Sequence, residues 1–179
     1  DLEIILVNDG SIDGSGEICD DLALRDPRIK VLHQNNSGAA GARNAGIELA
    51  RGKFISFVDG DDEIKEGMVE HLVSLLLDRP EAEISACSQT TLSLNSELDG
   101  PDGPTETSFL TGEQALVQLL NQKIVNAPVA KVFRIELFKE VRFPVGVKIG
   151  EDLLTNIQLF ERSRGLILSP LPLYVYKIR

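Results

Sequence analysis

A chain of 179 residues, 42% hydrophobic and 26% charged, suits one globular domain with apolar side chains enough for a sizeable core. Its formal net charge of −10 argues against a nucleic-acid backbone as partner, although a metal ion or a few aimed donors can still hold phosphates. No apolar run reaches membrane-spanning length and no secretory signal pattern opens the chain, while Cys19 and Cys87, far apart, read as free cytosolic thiols with one disulfide left open.

In chain order, "LEIILV" (2–7) is a short β-branched run closed by a turn, as expected of a strand buried on both faces. A helix is predicted from about Ser15, with Ile18, Leu22 and Ala23 as its apolar side, stopping before Pro27. "IKVLHQ" reads as a second strand, "NNSGAAGARNAGIELA" as a loop and helix, and "KFISFVD" as a third strand. "EGMVEHLVSLLLD" is a helix closed by Pro80, and "EISACSQT" a fourth strand. Strand and helix alternate to about Ser88, which predicts the α/β class with a parallel, doubly wound sheet. Past Thr90 the rhythm changes. "NSELDGPDGPTETS" is expected as a mobile surface loop. A helix at "TGEQALVQLL" opens with a capping box, Thr111 and Gln114. Lys131 and Arg134 fall on a predicted helix with surface salt bridges, another helix starts near Glu151, and "LPLYVYKIR" closes as a strand.

The stretch "VNDGSIDGSGE" raises the first chemical question. Asp9, Ser11, Asp13 and Gly14 fit the opening of a calcium loop. That reading weakens on three counts: a strand enters rather than a helix, Gly16 stands where an apolar residue belongs, and Asp20 stands where Glu should. Loops at the carboxyl ends of strands in an open α/β sheet line the ligand crevice, which favours a ligand role for Asp9. Asp13 and Ser15 read as caps of the next helix.

"FVDGDDE" is sharper. In an extended backbone Asp59 and Asp61 point to one side, and two such carboxylates share a dry pocket cheaply only with a cation. The alternative is a solvated turn. "SGAAGARNAG" places small residues, then Arg43, at a helix start suited to anions, although Ala45 and Gly46 fit tight helix packing equally well. Glu151 and Asp152 of "GED" complement the positive end of a helix. His33 and His71 have no partners at catalytic spacing.

Together these residues resemble the GT-A glycosyltransferases of family 2. "VNDGSIDGS", "GAAGARNAGIELARGKFISFVDGDD", "KVFRIELFKEVRFP" and "GED" occur in that family's order over nearly the whole chain, least securely from Thr91 to Asn126. The resemblance implies one GT-A domain over 1–179, with 1–90 the nucleotide-binding half and 91–179 the acceptor-side half. It implies that Asp9 contacts the base, that Arg43 approaches the nucleotide, that Asp59 lies toward the ribose and Asp61 on Mn²⁺ or Mg²⁺, and that Asp152 is the catalytic base. The implied donor is a UDP-linked sugar and the acceptor a carbohydrate or lipid-linked hydroxyl. Cell-surface polysaccharide synthesis at the inner face of the membrane is the implied setting. A sugar-nucleotide nucleotidyltransferase, a calcium-binding module and a catalytically inactive scaffold are the rival readings. The family also opens with a strand and helix ahead of "NDGS". Neither is in this sequence, so the expected sheet lacks a strand near its middle.

Overall fold

The computed structural model describes residues 1–93, 96–98, 104–147 and 149–178. The first half alternates as its sequence pattern requires: β1 (Ile4–Asn8), α1 (Ser15–Arg25), β2 (Ile29–His33), α2 (Gly38–Leu49) and β3 (Phe54–Ser56). Then come β4 (Glu63–Ile64), α3 (Met68–Asp78), β5 (Ile84–Ser93), β6 (Ser96–Leu98), β7 (Ser108–Leu110) and α4 (Gly112–Leu120). The chain ends in β8 (Lys131–Arg134), a 3-10 turn (Ile135–Lys139), α5 (Glu151–Arg162) and β9 (Leu166–Lys177). The capping box at Thr111 and Gln114 forms as the sequence predicts, with each side chain bonded to the other's backbone.

Two sheets result among the described residues. β1 and β2 pair in parallel, with Ile4 opposite Ile29. The larger sheet runs β3-β8-β5-β9-β4, with β6 added on β5 and β7 on β9. β8 is antiparallel to both β3 and β5, and β5 is parallel to β9, so β3, β5 and β9 share one direction. This is the α/β class expected, with β8 reversed between β3 and β5 and with β4, β6 and β7 added antiparallel to their neighbours. β5 runs continuously across residue 90, and β8 and β9 flank it, so the two halves of the sequence interleave in one sheet.

The segment around Lys131 is a strand, not the predicted helix. Its period is two: Val132 enters the core with Met68, Leu72, Leu76 and Ile167, while Phe133 enters the other with Ile84, Leu159, Phe160 and Leu166. The sheet is thus covered by α3 on one side and by α4 and α5 on the other. Phe57, Phe133, Phe138 and Phe143 lock the second core through edge-to-face contacts with centroids 5.4–6.2 Å apart. α1 departs from expectation. None of its residues is buried, and Ile18 and Leu22 are 61% and 42% exposed. The Pro/Gly-rich stretch predicted as a surface loop instead carries β6, paired on β5, and runs into β7 at Ser108, while its residues 95 and 99–103 lie outside the described residues.

Candidate active site

Asp9 lies just past β1, and its carboxylate closes the start of α2. Oδ1 accepts from Gln34 Nε2 at 2.7 Å, Ser37 N at 2.9 Å and Ser37 Oγ at 3.0 Å, and Oδ2 from Gly38 N at 2.8 Å. The Ser37 side chain makes no capping bond, so Asp9 supplies a cap from a distant loop. Burial pushes the Asp9 pKa up, but the hydrogen bonds from Gln34, Ser37 and Gly38 outweigh it and hold the group below the ordinary value. An ionised carboxylate offers about four acceptor positions, so Oδ2 retains capacity for one further donor. Gly10 makes this closeness possible. Its φ is +76°, and a Cβ there would stand 2.9 Å from the Asn36 nitrogen. Asp13 does serve Ser15 locally, accepting from its N and Oγ at 3.2 and 2.6 Å, although the cap of α1 is Gly14.

Arg43 projects from the middle of α2, because the small residues from Gly38 to Ala42 are already helical rather than a loop. One nitrogen, Nη2, donates to Asp59 Oδ1 at 2.9 Å, and the other, Nη1, to Asp152 Oδ1 at 2.6 Å. The guanidinium lies 5.4 Å from the Phe143 ring centroid. Asn44, the next residue, braces that ring's backbone: its Nδ2 donates to the Phe143 carbonyl at 2.8 Å and its Oδ1 accepts from Phe143 N at 2.9 Å. The second expectation for this helix holds as well. Gly46 packs on β1, where a Cβ would meet Val7 Cγ2 at 3.7 Å.

The aspartates after β3 are not on extended backbone. β3 ends at Ser56, and Asp59 to Asp62 form a turn closed by Asp62 N donating to the Asp59 carbonyl at 3.0 Å. Asp61 stands exposed in that turn. Asp152, two residues into the helical end of the "GED" stretch, is brought to Asp59 only through Arg43. Burial raises the Asp152 pKa, and Glu151 and Asp59 add to the rise, against the opposing pull of Arg43 and Lys131. Asp59, Asp152 and Arg43 therefore converge at one place, with Asp61 in the adjoining turn. Asp9 serves the start of α2, apart from them.

Sequence reasoning missed two residues that hold this arrangement. Lys131 is 1% exposed. Its three ammonium donors meet the carbonyls of Val125, Ala127 and Val129 at 2.8, 2.7 and 3.3 Å. Burial draws its pKa down to about 7, while three carbonyls facing three N–H groups favour the ammonium form. Asn156 Nδ2 of α5 donates to a fourth carbonyl of the loop, that of Asn126. The loop so held bridges to the D-x-D strand through Val129 and Phe57, and Ser56 Oγ donates to the Lys131 carbonyl at 2.7 Å. The second missed residue is Tyr174 of β9, whose hydroxyl donates to Asp62 Oδ2 at 2.6 Å. Burial first, then the Asp62 carboxylate, push its pKa up. Lys131 read as a surface cation because β8 read as a helix. His33 also has partners unseen in the sequence, with Nε2 3.0 Å from Asp20 Oδ1 and Nδ1 3.0 Å from Asn8 Nδ2. Both cysteines are free.

Among the described residues no three His, Cys, Asp or Glu side chains gather as a metal cage. A cation at Asp61 would need phosphate oxygens and water to complete its shell, as Mg²⁺ and Mn²⁺ bound by one or two carboxylates do. That arrangement does not suit a closed protein site for calcium.

The family model described as "Glycosyl transferase family 2" matches residues 1–142. The chain belongs to glycosyl transferase family 2. It is 34% identical over 182 residues to an uncharacterized glycosyltransferase, EpsJ, of Bacillus subtilis (strain 168), covering 99% of this chain and 53% of EpsJ. Against the glycosyltransferase GlyG of Streptococcus pneumoniae serotype 4 it is 34% identical over 193 residues, 99% of this chain and 62% of GlyG. The chain thus spans a little over half the length of these relatives. In fold, this family 2 chain matches the crystal structure of S. aureus TarS 1-349 in complex with UDP-GlcNAc, with a TM-score of 0.82 and 22% identity over 99% of this chain and 50% of the TarS 1-349 chain. The GT-A architecture is therefore shared. No helix of the described residues is long and apolar enough to cross a membrane.

Proposed function

We propose that this family 2 domain transfers a sugar from a UDP-linked donor to an acceptor hydroxyl with inversion at the anomeric carbon, aided by Mn²⁺ or Mg²⁺. One observation carries the reading: Arg43 joins the first aspartate of the D-x-D turn, 16 residues on, to Asp152 of the "GED" helix, 109 residues on. A nucleotide-side carboxylate and a proton acceptor then lie within one guanidinium's span, which supports donor and acceptor meeting at one place.

Each group has one task. Asp9 receives an N–H of the base on the remaining position of Oδ2. Asp59 faces the ribose, and Arg43 approaches the donor phosphates. Asp61 is the side chain that would hold the cation together with the diphosphate. When bound, the cation neutralises charge developing on the leaving diphosphate. Arg43 engages Oδ1 of Asp152 and leaves Oδ2 to accept the acceptor's proton. As that O–H bond breaks, the acceptor oxygen bonds to the anomeric carbon, and the bond to the diphosphate oxygen breaks with its electron pair. The raised pKa of Asp152 makes its carboxylate a stronger proton acceptor than an ordinary aspartate. Family membership supports an acceptor that is a carbohydrate or lipid-linked hydroxyl in cell-surface polysaccharide assembly, at the inner face of the membrane. TarS, which shares the fold, is known in complex with UDP-GlcNAc and with UDP, and that supports a UDP-linked donor.

A panel of sugar nucleotides, each with Mn²⁺ or Mg²⁺ and simple acceptors, tests the proposal by release of nucleoside diphosphate. The expected result is metal-dependent release from one UDP-sugar. Metal-dependent binding of UDP-sugars without turnover would favour the scaffold reading, and pyrophosphate release from UTP and a sugar phosphate the nucleotidyltransferase.

A further inference from the structure

The D-x-D turn is weakly rooted in its own strand. β3 ends three residues before Asp59, and Gly60 and Asp61 are exposed. A carboxylate that holds a cation against a diphosphate must nevertheless project from a fixed backbone. The fixing comes from the far end of the chain. Tyr174, fully buried on β9 among Met68, Leu72 and Leu76, donates to Asp62 Oδ2 at 2.6 Å. The same hydroxyl receives Asp59 N–H in a longer bond of 3.4 Å. Asp62 Oδ1 receives Lys177 N–H at 3.0 Å. The chain leaving the turn is registered on β9 too, with Glu63 opposite Val175 and Ile64 opposite Tyr174. Both ends of the turn are thus tied to one strand, and a bond across the turn closes it.

We infer that Tyr174 is a positioning residue for Asp61: by tying Asp59 and Asp62 to β9 it sets where the intervening carboxylate projects, and it withdraws Asp62 from the carboxylates that hold the cation. Of the two consecutive aspartates in "DGDD", one is then structural. Both oxygens of Asp62 are occupied by donors of β9, and recruiting either to a metal would break one of those bonds. This inference deepens the sugar-nucleotide reading and rests on it for the cation.

Tyr174→Phe keeps the buried ring and removes only the hydroxyl. Amide hydrogen exchange at residues 59–62 should speed up roughly tenfold or more, the scale of a lost hydrogen bond to a charged group, while the β5–β9 ladder stays protected. In calorimetry with UDP, the Mn²⁺ concentration for half-saturation should rise by a similar factor, with UDP binding in EDTA unchanged. Asp62→Ala should reproduce both effects, and the double variant should add little to either single one, because the two residues share one bond. Unaltered exchange at 59–62 in Tyr174→Phe, or additive effects in the double variant, overturns the inference. Should Tyr174→Phe lose the fold, Asp62→Ala alone decides it by the same exchange measurement. Wild-type chain whose UDP binding Mn²⁺ does not change would remove the cation on which the inference rests, and wild-type chain that binds no UDP would remove the sugar-nucleotide reading instead. The exchange result would still judge Tyr174 by itself.

Discussion

Residues 1–39 and the body from β3 onward are built on different physics. The first segment supplies β1, α1 and β2, yet the first buried residue in the chain is Ala40. Ile12, Ile18 and Leu24 stand in solvent at 101%, 61% and 86% exposure. That layer is held by polar bonds: Asp9 to the start of α2, His33 to Asn8 and Asp20, and Lys30 to Glu3. The body is held by two apolar cores and a buried lysine. Burial of apolar area, at about 25 cal/mol per Å², is the larger stabilising term, so the body should open last. The division also separates the chemistry. The proposed base contact, Asp9, sits on the polar-bonded layer, whereas Asp59, Asp61 and Asp152 sit on the apolar-cored body. Arg43 of α2 is the clasp between them.

The sharpest way to break this division is to act on the body side alone. Asp152→Asn should keep donor binding, which the proposal gives to Asp9, Asp59 and Asp61, and cut transfer on the order of 10²–10⁴, the range for a lost general base. UDP release measured beside calorimetric UDP binding checks both halves of the statement. Near-native turnover would make Asp152 a helix-end charge and no more.

Lys131→Met tests what holds the body. Methionine fills the space but leaves the carbonyls of Val125, Ala127 and Val129 without their donor. Unsatisfied buried groups cost roughly 1–3 kcal/mol each, so the melting midpoint should fall by about 10 °C. Exchange should quicken throughout the body, not only near the loop. A midpoint within 2–3 °C of wild type, on that same scale, would show that the loop finds its donors in water.

How much of this was legible depends on whether a residue's task is local. The Thr111 and Gln114 capping box, the end of α3 before Pro80 and the start of α5 at Glu151 follow from signals within four residues, and each stands as the sequence predicts, whereas α3 starts two residues later than expected. The family motifs marked Asp9, Arg43, Asp59, Asp61 and Asp152, although their partners are non-local and no periodicity displays them. β8 was misread because four residues of strand between an irregular loop and a 3-10 turn carry too short a period to separate from helix. Lys131 and Tyr174 were invisible for a different reason. A buried ammonium facing carbonyls, or a hydroxyl facing a carboxylate, is defined by chain segments that meet only in the folded state. The exposed side of α1 is the converse case, an apolar stripe that the described residues do not cover.

Asp9→Ala should be milder for stability than Lys131→Met. It removes four hydrogen bonds at the start of α2, in a region open to water that can replace them. Loss of a helix cap costs roughly 1 kcal/mol, or some 2–4 °C in the melting midpoint. The quickened exchange should be confined to the first turn of α2 and to β1 and β2. Exchange that spreads to β5 and β9 would mean the layer and the body open as one unit, and the comparison would collapse.

Acidification should separate the two regions by sign, with the smallest effect of the set. The folded pKa of Asp9 lies below its ordinary value, so its stabilising contribution is full above the unfolded pKa, near 3.8, and is lost as pH falls through the folded one. Asp152 runs the other way. Its folded pKa lies above 3.8, so between the two values the folded chain binds the proton more tightly than the unfolded chain. Its contribution to stability therefore falls as pH rises through that window and recovers as pH drops. Lowering pH from neutral should protonate Asp152, the carboxyl with the raised pKa, and silence transfer while β1 and β2 keep their protection. Only further acidification should loosen the Asp9 layer. Following UDP release and amide exchange in β1 and β2 on one series of pH steps reads both. Protection in β1 and β2 that is lost before activity would reverse the order, and with it the assignment of the shifted carboxylates to the two regions.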